Sequence, residues 1–507
     1  MSAKIITLMI WGEDFEQELR PLIKAFYPGV QFQVIKETWD GCQIKDAASF
    51  VKVLEERNAA WDYAFLLCPQ EGYFAAKREK NWQAGEFHNI PANAQRRDYR
   101  NVMMRGFYRM LQEQSGHALP WGILTGIRPT KLMLEHIETG DNESRIRAYM
   151  EKEYLCSKEK IDVGIEVAKR EYKILSTIDC AAGYSVYIGI PFCPSTCYYC
   201  SFTSFPVGVY GRLMDDYLAA LEKEIRYAGD ALPKKQLHTL YVGGGTPTTL
   251  SEKQLDRLLT CIEERFDLSH LKELTVEAGR PDSITKEKLA VIRAHKVGRI
   301  SINPQTMKQE TLDLIGRRHT VGQIEEAFYL ARELGFDNIN MDLILGLAKE
   351  TPQDVAETLE KIKKLSPDNL TVHTLAVKRA ARLTTKKEEY EGFEAKDVKK
   401  MQRISSEFAA ANNYYPYYLY RQKNITENLE NIGYARPGKE GLYNILIMEE
   451  KQTILALGAG ATTKFVFHNK NQLERVENVK NLKDYIGRID EMIARKQNFL
   501  ARFGGEL

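Results

Sequence analysis

Residues 186–200 read VYIGIPFCPSTCYYC and form the most informative stretch of the chain. The first five residues are an apolar run of the kind that forms a buried strand. Three cysteines follow within eight residues: Cys193, Cys197 and Cys200. Pro191 and Pro194 disfavour a regular helix at this point. The stretch therefore predicts a strand that ends in a loop carrying three thiols.

The sequence downstream repeats a pattern of one apolar run followed by one amphipathic helical stretch. The runs are VYIGI, LHTLYVGGG, LKELTVEAG, GRISINPQT and INMDLILGL, and NLTVHTLAV completes the series. Repeated β-α units predict a parallel sheet, because each crossover helix returns the chain to the same edge. Six units are too few for a closed eight-stranded barrel. A partial barrel and an open doubly wound sheet remain as alternatives, which periodicity does not separate.

The chain is long enough for two or three domains. It has 507 residues, against about 100–200 residues for an ordinary domain. Residues 1–180 begin with a β-α-β pattern and are predicted to form an N-terminal α/β extension. The β-α series occupies residues 181–385. Shorter strands and a Gly-rich turn predict a small α+β C-terminal domain over residues 386–507.

The composition is that of a globular protein. Hydrophobic residues make up 44% and charged residues 28%, which excludes a largely disordered chain. Lys plus Arg number 71 and Asp plus Glu 69, a balance that argues against a dedicated nucleic-acid coat. The sequence contains no run of about 18 apolar residues and no signal-peptide pattern. We therefore expect a cytoplasmic protein that makes no use of a membrane.

The cysteine triplet predicts a metal centre with one open position. Eight cysteines in so long a chain are too sparse for a disulfide scaffold, and the five outside the triplet are expected to be buried structural thiols. Four thiolates would close a structural zinc site or a fully ligated iron–sulfur cluster. Three thiolates leave one metal position for a substrate or cofactor. The alternative is a zinc site completed by a distant residue such as His238 or Cys261.

CPSTCYYC resembles the CxxxCxxC motif of the radical S-adenosylmethionine (SAM) superfamily, with the aromatic Tyr199 before the last cysteine. YIGIPFCPSTCYYC followed by LYVGGGTPTTL is similar to the coproporphyrinogen dehydrogenase family, the oxygen-independent coproporphyrinogen III oxidases. LTGIRPTK and NLENIGYARPGKEGLYNI look most like the HemZ-type members. The resemblance implies an α/β fold with a partial (β/α)6 radical-SAM barrel. It also implies a [4Fe–4S] cluster on Cys193, Cys197 and Cys200, with SAM chelating the open iron.

The same resemblance implies a set of cofactor-binding residues, most of them at or just after strand ends. They are Tyr187, Tyr199, Gly244, Gly245, Thr246, Glu277, Gln305, Arg317, Asp342 and Ala376. Tyr187, Gly244 and Glu277 match the set around the cluster-bound SAM. A second SAM molecule is implied by another set: Thr246, Gln305, Arg317, Asp342 and Ala376. The glycine run suits this role because glycine amides can approach a charged ligand closely.

The resemblance implies oxidative decarboxylation of two propionate side chains of coproporphyrinogen III to vinyl groups, which gives protoporphyrinogen IX in porphyrin and haem biosynthesis. The family's chemistry starts from a 5′-deoxyadenosyl radical that removes a β-hydrogen from the propionate. A donor such as flavodoxin or ferredoxin would supply the electrons. The expected partner is a porphyrinogen or a haem-like tetrapyrrole.

Two positions depart from the decarboxylase pattern. Gly189 stands where those enzymes usually have histidine, and Phe202 stands where many have a further cysteine. The chaperone-like branch of the family also lacks that cysteine. A haem-binding chaperone without decarboxylase activity is therefore one alternative, and a radical enzyme acting on another substrate is a second.

Three further segments carry open interpretations. The aromatic run YYPYYLY predicts either core packing or a tetrapyrrole-binding surface. The cations after the sixth strand predict either propionate contacts or a solvated stretch: Lys378, Arg379 and Arg382. Residues 77–110 carry eight Lys or Arg and three Asp or Glu, interleaved with Trp82, Tyr99, Phe107 and Tyr108. Such a segment is compatible with RNA binding, although a solvated face is favoured and nucleic acid is not the expected partner.

Overall fold

The computed structural model describes most of the chain and divides it into two compact units. The described ranges are 4–39, 44–57, 61–68, 70–78, 81–88, 90–91, 93–126, 128–376, 397–422, 428–470 and 472–506. The first unit comprises residues 1–165 and 421–429, and the second comprises residues 166–420 and 430–507. Within the described ranges, no helix combines the length and the hydropathy needed to cross a bilayer.

The first unit is built on a five-stranded sheet with the strand order β2-β1-β3-β4-β5. Its strands are β1 (Ile5–Gly12), β2 (Gln31–Glu37), β3 (Tyr63–Leu67), β4 (Gly72–Arg78) and β5 (Asn81–Phe87). Its helices are α1 (Glu16–Phe26), α2 (Ala47–Glu56), α3 (Arg96–Ser115), α4 (Thr130–Glu138) and α5 (Glu143–Tyr154). The next helix, α6 (Lys158–Leu175), contains the division between the units. The predicted β-α-β start is confirmed by β1, α1 and β2.

Buried aromatic side chains occupy the core of the first unit. Tyr99, Phe107 and Tyr108 lie on α3 and are buried, with Phe107 packed edge-on against Phe65 at 4.8 Å. Trp82 is half-buried beside Lys77, whose Nζ lies 5.7 Å from the ring. Phe87 is buried as well, so four of the five aromatic residues in the basic segment serve as core residues, which leaves them no free face for stacking on nucleic-acid bases.

The second unit contains the β-α series and the strands and helices that follow it. Its strands are β6 (Gly183–Ile190), β7 (Phe192–Cys193), β8 (Phe205–Pro206), β9 (Gln236–Gly244), β10 (Glu273–Glu277), β11 (Arg299–Ser301), β12 (Ile339–Leu345), β13 (Asn369–Thr374), β14 (Tyr415–Tyr420), β15 (Asn431–Ala435), β16 (Thr453–Leu457), β17 (Thr462–Phe467) and β18 (Gln472–Glu477). Its helices are α7 (Val207–Tyr210), α8 (Met214–Ala231), α9 (Glu252–Arg265), α10 (Lys286–Ala294), α11 (Gln309–Leu314), α12 (Val321–Glu333), α13 (Pro352–Leu365), α14 (Val398–Ala411), α15 (Leu442–Glu449), α16 (Leu482–Gly487) and α17 (Ile489–Phe503).

The six predicted strands are β6, β9, β10, β11, β12 and β13, and they form the centre of an eleven-stranded sheet. Each pairs in parallel with the next one along the chain. A doubly wound sheet reverses its strand order at a switch point, whereas this series proceeds in one direction throughout. The partial barrel is therefore confirmed. Its loops follow the carboxyl ends of the strands, the edge where parallel β-α proteins place their sites.

Strands from the last part of the chain extend this sheet at both edges. β15 pairs antiparallel with β13, and β14 pairs antiparallel with β15 and forms the edge strand. At the opposite edge β16 pairs in parallel with β6, followed by β17 and β18. The predicted division of the chain at residues 180 and 385 remains a prediction. Lys378, Arg379 and Arg382 lie outside the described residues.

Candidate functional site

The three clustered cysteines lie in a loop at the carboxyl end of β6, as the two prolines predicted. Cys193 ends the short strand β7, and β7 pairs with β8 after the last cysteine. The amide of Cys200 donates to the carbonyl oxygen of Cys197 at 3.1 Å, which forms a tight turn. We call residues 191–205 the cysteine loop. Cys197 is buried, and Cys193 and Cys200 are half-buried.

Burial and mutual proximity dominate the acid–base properties of these thiols. Burial, together with the charges of Cys200 and Cys197, raises the pKa of Cys193 to about 12, although a hydrogen bond with Thr246 acts in the opposite direction. Burial also raises the pKa of Cys200. The thiols are near neighbours, but across the described residues no three Cys, His, Asp or Glu side chains are gathered as tightly as a metal site requires. Metal binding would draw the thiols together and displace their protons.

The glycine run predicted to bind cofactor meets the cysteine loop directly. The amide of Gly245 donates to the carbonyl oxygen of Ile190 at 2.8 Å. A Cβ on Gly245 would lie 2.5 Å from the carbonyl oxygen of Phe192 and 3.0 Å from Sγ of Cys193. Oγ1 of Thr246 lies 3.7 Å from the same sulfur. Gly245 is therefore required for the close approach of this turn to the first cysteine, and Thr246 borders the same thiol.

Tyr187 and Glu277 point into the barrel and share a neighbour there. Tyr241 stacks on Tyr187 with 6.2 Å between ring centres, and on Tyr443 of α15 with 4.6 Å. The hydroxyl of Tyr241 donates to Oε1 of Glu277. Burial raises the pKa of Glu277 to about 7, in spite of this hydrogen bond and one from the amide of Gly244. Gly244, Glu277 and Tyr187 thus lie in one region of the barrel, and their role as cofactor-binding residues remains a prediction.

Gln305, which forms an isolated bridge beyond the end of β11, adjoins Asp342 on β12. The amide of Gln305 donates to the carbonyl oxygen of Asp342 at 2.9 Å, and the backbone of Gln305 has a φ of +69°. Nδ2 of Asn340 donates to Asp342 at 2.7 Å, and Nε2 of His373 lies 3.7 Å from its other oxygen. Burial raises the pKa of Asp342, but the neighbouring His373 and the hydrogen bonds of Asn340 and Thr371 outweigh burial, and the pKa is lowered.

Arg317 joins the second predicted set to the cysteine loop. It is buried and donates to the carbonyl oxygen of Asn303. Although burial opposes the charged form, the neighbouring Tyr199 and Cys197 raise the pKa of Arg317. Burial likewise raises the pKa of Tyr199. Ala376 is half-buried two residues beyond β13, at the edge of the described residues.

Buried polar atoms around this region have no partner among the described residues. They are Oδ1 of Asn303, Oε1 of Gln305 and Nε of Arg317. A buried polar atom without a hydrogen bond is unfavourable by ~1–3 kcal/mol, so such atoms mark places where a ligand can bind. Arg317, one of these residues, neighbours Cys197, and the glycine turn lies against Cys193. These residues fit a cluster held by three cysteines and a polar cofactor next to it.

The residues considered for a zinc site are not at this loop. His238 lies near the start of β9 and contacts Gln452, with 3.3 Å between Nδ1 and Oε1. The loop follows the other end of the neighbouring strand, on the order of 20 Å away along the strands. Cys261 is buried in α9. Of the remaining scattered cysteines, Cys156 is buried, Cys68 and Cys180 are only half-buried, and Cys42 lies outside the described residues.

The aromatic run lies mostly inside the protein. Tyr417 and Tyr418 on β14 are buried, whereas Tyr415 is exposed. Tyr418 stacks on Tyr420 with 6.1 Å between ring centres, and the hydroxyl of Tyr420 lies 3.3 Å from Nδ1 of His373. Core packing accounts for Tyr417 and Tyr418, and Tyr420 reaches the neighbourhood of the predicted second cofactor set.

Several residues of the site were not predicted from the sequence. They are Ser195, Tyr241, Arg280, His373 and Tyr443. A signal existed for Tyr241, which precedes Gly243 by two positions on one strand and therefore faces the same side. A signal also existed for His373 at the end of the sixth strand. Arg280 and Tyr443 reach the site through contacts distant in sequence, for which no local pattern exists.

Comparison with known proteins gives the family. The radical SAM superfamily profile matches residues 187–362. The oxygen-independent coproporphyrinogen-III oxidase-like protein HemZ of Bacillus subtilis (strain 168) is 40% identical over 411 residues, which cover 79% of this chain and 81% of that protein. The heme chaperone HemW of Lactococcus lactis subsp. lactis (strain IL1403) is 33% identical over 278 residues, which cover 55% of this chain and 69% of that protein.

A solved structure agrees with these relatives. Coproporphyrinogen III oxidase (HemN) from Escherichia coli, a radical SAM enzyme, aligns with a TM-score of 0.50 at 25% identity, covering 62% of this chain and 70% of that chain. Radical SAM proteins use a [4Fe–4S] cluster and S-adenosylmethionine, which are therefore the cofactors of this chain. The extent of the match to HemZ shows that the chain belongs to the oxygen-independent coproporphyrinogen-III oxidase-like family of the radical SAM superfamily.

Proposed function

We propose that this radical SAM enzyme decarboxylates the propionate side chains of coproporphyrinogen III to vinyl groups and yields protoporphyrinogen IX. The relative HemZ is named as oxygen-independent coproporphyrinogen-III oxidase-like, and the aligned structure is that of coproporphyrinogen III oxidase. Two propionates would react in turn. Flavodoxin or ferredoxin is the class of donor that we propose for the electrons.

Cys193, Cys197 and Cys200 are proposed as the ligands of the cluster. Three thiolates leave one iron for the amino and carboxylate groups of SAM. When bound together, cluster and SAM supply the radical that removes hydrogen from the substrate. The glycine turn at Gly244 and Gly245 would bind the methionine portion through its backbone amides.

Side chains inside the barrel would hold the cofactor and control protons. Glu277 would accept hydrogen bonds from the polar groups of the cluster-bound SAM, beside Tyr187. Its pKa of about 7 leaves the carboxyl group partly protonated near neutral pH, so it can also donate one hydrogen bond. Tyr241 fixes the position of this carboxyl group through its hydroxyl. Burial of the site keeps water away from reactive species.

A second SAM molecule is proposed for the other residue set: Thr246, Gln305, Arg317, Asp342 and Ala376. Oε1 of Gln305 and Nε of Arg317 have no hydrogen-bond partner among the described residues, so both atoms could bond to this second molecule. Asp342 is charged, because its lowered pKa keeps it deprotonated, and suits a cationic or hydroxyl-bearing group.

One observation carries the proposal. Thr246 and Arg317 both adjoin cysteines of the loop, Thr246 beside Cys193 and Arg317 beside Cys197. Two of the five residues assigned to the second cofactor are therefore neighbours of proposed cluster ligands, which supports a second SAM molecule close to the cluster.

A haem chaperone is the second candidate, and particular positions favour it. The L. lactis relative HemW is named as a heme chaperone. Phe202 occupies the position where many decarboxylases have cysteine, and its side chain is 70% exposed. Gly189 supplies no imidazole at the end of β6. Such a protein would keep the cluster and bind haem without forming vinyl groups.

Anaerobic product analysis separates the two candidates. The protein is reconstituted with iron and sulfide and then given SAM, a reductant and coproporphyrinogen III. Chromatography should show the monovinyl intermediate followed by the divinyl product. Haem binding in a parallel titration, with no vinyl product, would favour the chaperone. Deoxyadenosine formation that coproporphyrinogen does not stimulate would point to a different substrate.

A further inference from the structure

Arg280 is a buried arginine that bonds to the cysteine loop. It follows β10 by three residues and is 3% exposed. Its Nη1 donates to the carbonyl oxygen of Ser195 at 3.2 Å and to Sγ of Cys197 at 3.6 Å. Its Nη2 donates to Oγ of Ser195 at 3.1 Å. One guanidinium therefore holds both the backbone of the loop and one of its sulfurs.

Asp282 fixes the guanidinium from the opposite side. Nε and Nη2 of Arg280 donate to the two carboxylate oxygens of Asp282 at 3.0 and 2.8 Å. Burial raises the pKa of Asp282, but the neighbouring His319, whose Nδ1 lies 3.5 Å from Oδ1, and the hydrogen bonds and charge of Arg280 outweigh burial and leave the pKa well below its ordinary value. A carboxylate bound by two parallel N–H groups sets the plane of the guanidinium. The donors toward Ser195 and Cys197 are thus held in a fixed direction.

Ser195 extends this connection to the second predicted cofactor set. Its hydroxyl donates to the carbonyl oxygen of Gly316 at 2.9 Å, directly before Arg317. The loop segment between Cys193 and Cys197 is therefore bound on one side by Arg280 and on the other by the turn that carries Arg317.

We propose that Arg280 is a positioning residue that orients the cysteine loop through Ser195 and raises the reduction potential of the cluster through Cys197. The inference rests on the proposed function, in which Cys197 is a cluster ligand. Reduction adds one electron, supplied by the donor protein, and makes the cluster more negative without breaking a bond. Hydrogen bonds to ligand sulfurs and nearby positive charge stabilise that reduced state. Arg280 provides both.

Variants at Arg280 test the inference through the potential of the cluster rather than through turnover. Arg280→Gln combined with Asp282→Asn removes the cation without leaving a buried carboxylate unpaired. Arg280→Lys keeps the charge but loses the forked set of donors. The matched control is Arg332→Gln, because Arg332 also pairs with an aspartate, Asp368 at 2.7 Å, and with the carbonyl oxygen of Phe336 at 3.0 Å.

Each protein is reconstituted anaerobically, and its midpoint potential is measured by redox titration followed with EPR. We expect the cluster of the double variant to be harder to reduce than that of the wild type. The equilibrium constant for one-electron reduction should fall by at least tenfold, which corresponds to a midpoint potential more negative by ~59 mV. Arg280→Lys should fall between it and the wild type, and Arg332→Gln should match the wild type. If the double variant loses its cluster while the wild type, Arg280→Lys and Arg332→Gln keep theirs, the result would support the positioning role.

Wild-type potentials in both Arg280 variants, at full cluster content, would overturn the inference while leaving the proposed function intact. Failure of the proposed function looks different, because the wild-type protein would then hold no three-cysteine cluster to titrate.

Discussion

The hydroxyl of Tyr241 lies 2.5 Å from Oε1 of Glu277 and donates a hydrogen bond to it inside the barrel. Burial nevertheless raises the pKa of Glu277 to about 7 from its ordinary 4.5. Desolvation therefore outweighs the hydrogen bond, which favours the charged form. The balance between these effects makes the carboxyl group sensitive to pH near neutrality.

Stability should fall as the pH rises from about 4.5 to about 7. In this window the folded protein keeps the proton on Glu277 while the unfolded chain has lost it. Folding is therefore favoured at the acid end, by up to ~3 kcal/mol from this group. Glu277→Gln should flatten the slope, as measured by urea unfolding across the window. Equal slopes in wild type and variant would contradict the assigned pKa.

A buried ion pair should make Lys496 important for the stability of the second unit. Nζ of Lys496 lies 2.8 Å from Oε1 of Glu224, and both side chains are fully buried. Asn478 and Tyr485 also donate to Glu224. Lys496→Met leaves the carboxylate buried with its charge unbalanced and should lower the free energy of unfolding by about 3–5 kcal/mol.

The exposed pair of Lys470 and Glu506 provides the control for this prediction. Lys470→Met should change the free energy of unfolding by less than about 1 kcal/mol. Adding Glu224→Gln to Lys496→Met should recover part of the loss, because no unpaired charge then stays buried. If Lys496→Met and Lys470→Met change the free energy of denaturant unfolding by the same amount, Lys496 and Glu224 do not form a buried ion pair.

Gly245→Ala should disturb the cysteine loop without unfolding the protein. The added Cβ would lie 2.5 Å from the carbonyl oxygen of Phe192, a contact that forces the backbone to shift. We expect weaker SAM binding in equilibrium dialysis, by tenfold or more, and an altered EPR spectrum of the reduced cluster. Gly298→Ala is the matched control, since no atom lies within 4 Å of its added Cβ. Unchanged SAM affinity in Gly245→Ala would argue against the glycine turn as a cofactor site.

The sequence predicted the parts of the fold that depend on local pattern. The runs that became β6, β9 and β10 are short and apolar and are each followed by a helix, so their parallel pairing followed from chain connectivity. The position of Gly245 beside Cys193 followed from the family order of motifs. Both predictions needed only residues near one another in sequence or in adjacent β-α units.

Contacts between distant segments could not be predicted in the same way. β16 pairs with β6 and places Thr453 opposite Tyr184. The edge of the sheet at β6 offers unpaired backbone groups to such a strand. No local sequence pattern specifies which strand of the chain pairs there. Arg280 reaches Ser195 across 85 positions of sequence. Tyr443 enters the barrel from α15, where helical periodicity alone indicates only a buried position. Residues of this kind can be identified only once the packing of the folded chain is known, because no pattern among their sequence neighbours indicates their contacts.

We propose that Cys193, Cys197 and Cys200 hold a cluster with one iron open to SAM. Iron and sulfide analysis with EPR on the reconstituted protein tests it most directly, comparing wild type with Cys197→Ala and with Cys261→Ala as the control for loss of a buried thiol. Wild type and control should hold about four irons per chain and give a spectrum that changes when SAM is added, whereas Cys197→Ala should show no brown absorbance. Zinc in the wild-type protein, or an unchanged cluster spectrum in Cys197→Ala, would contradict it.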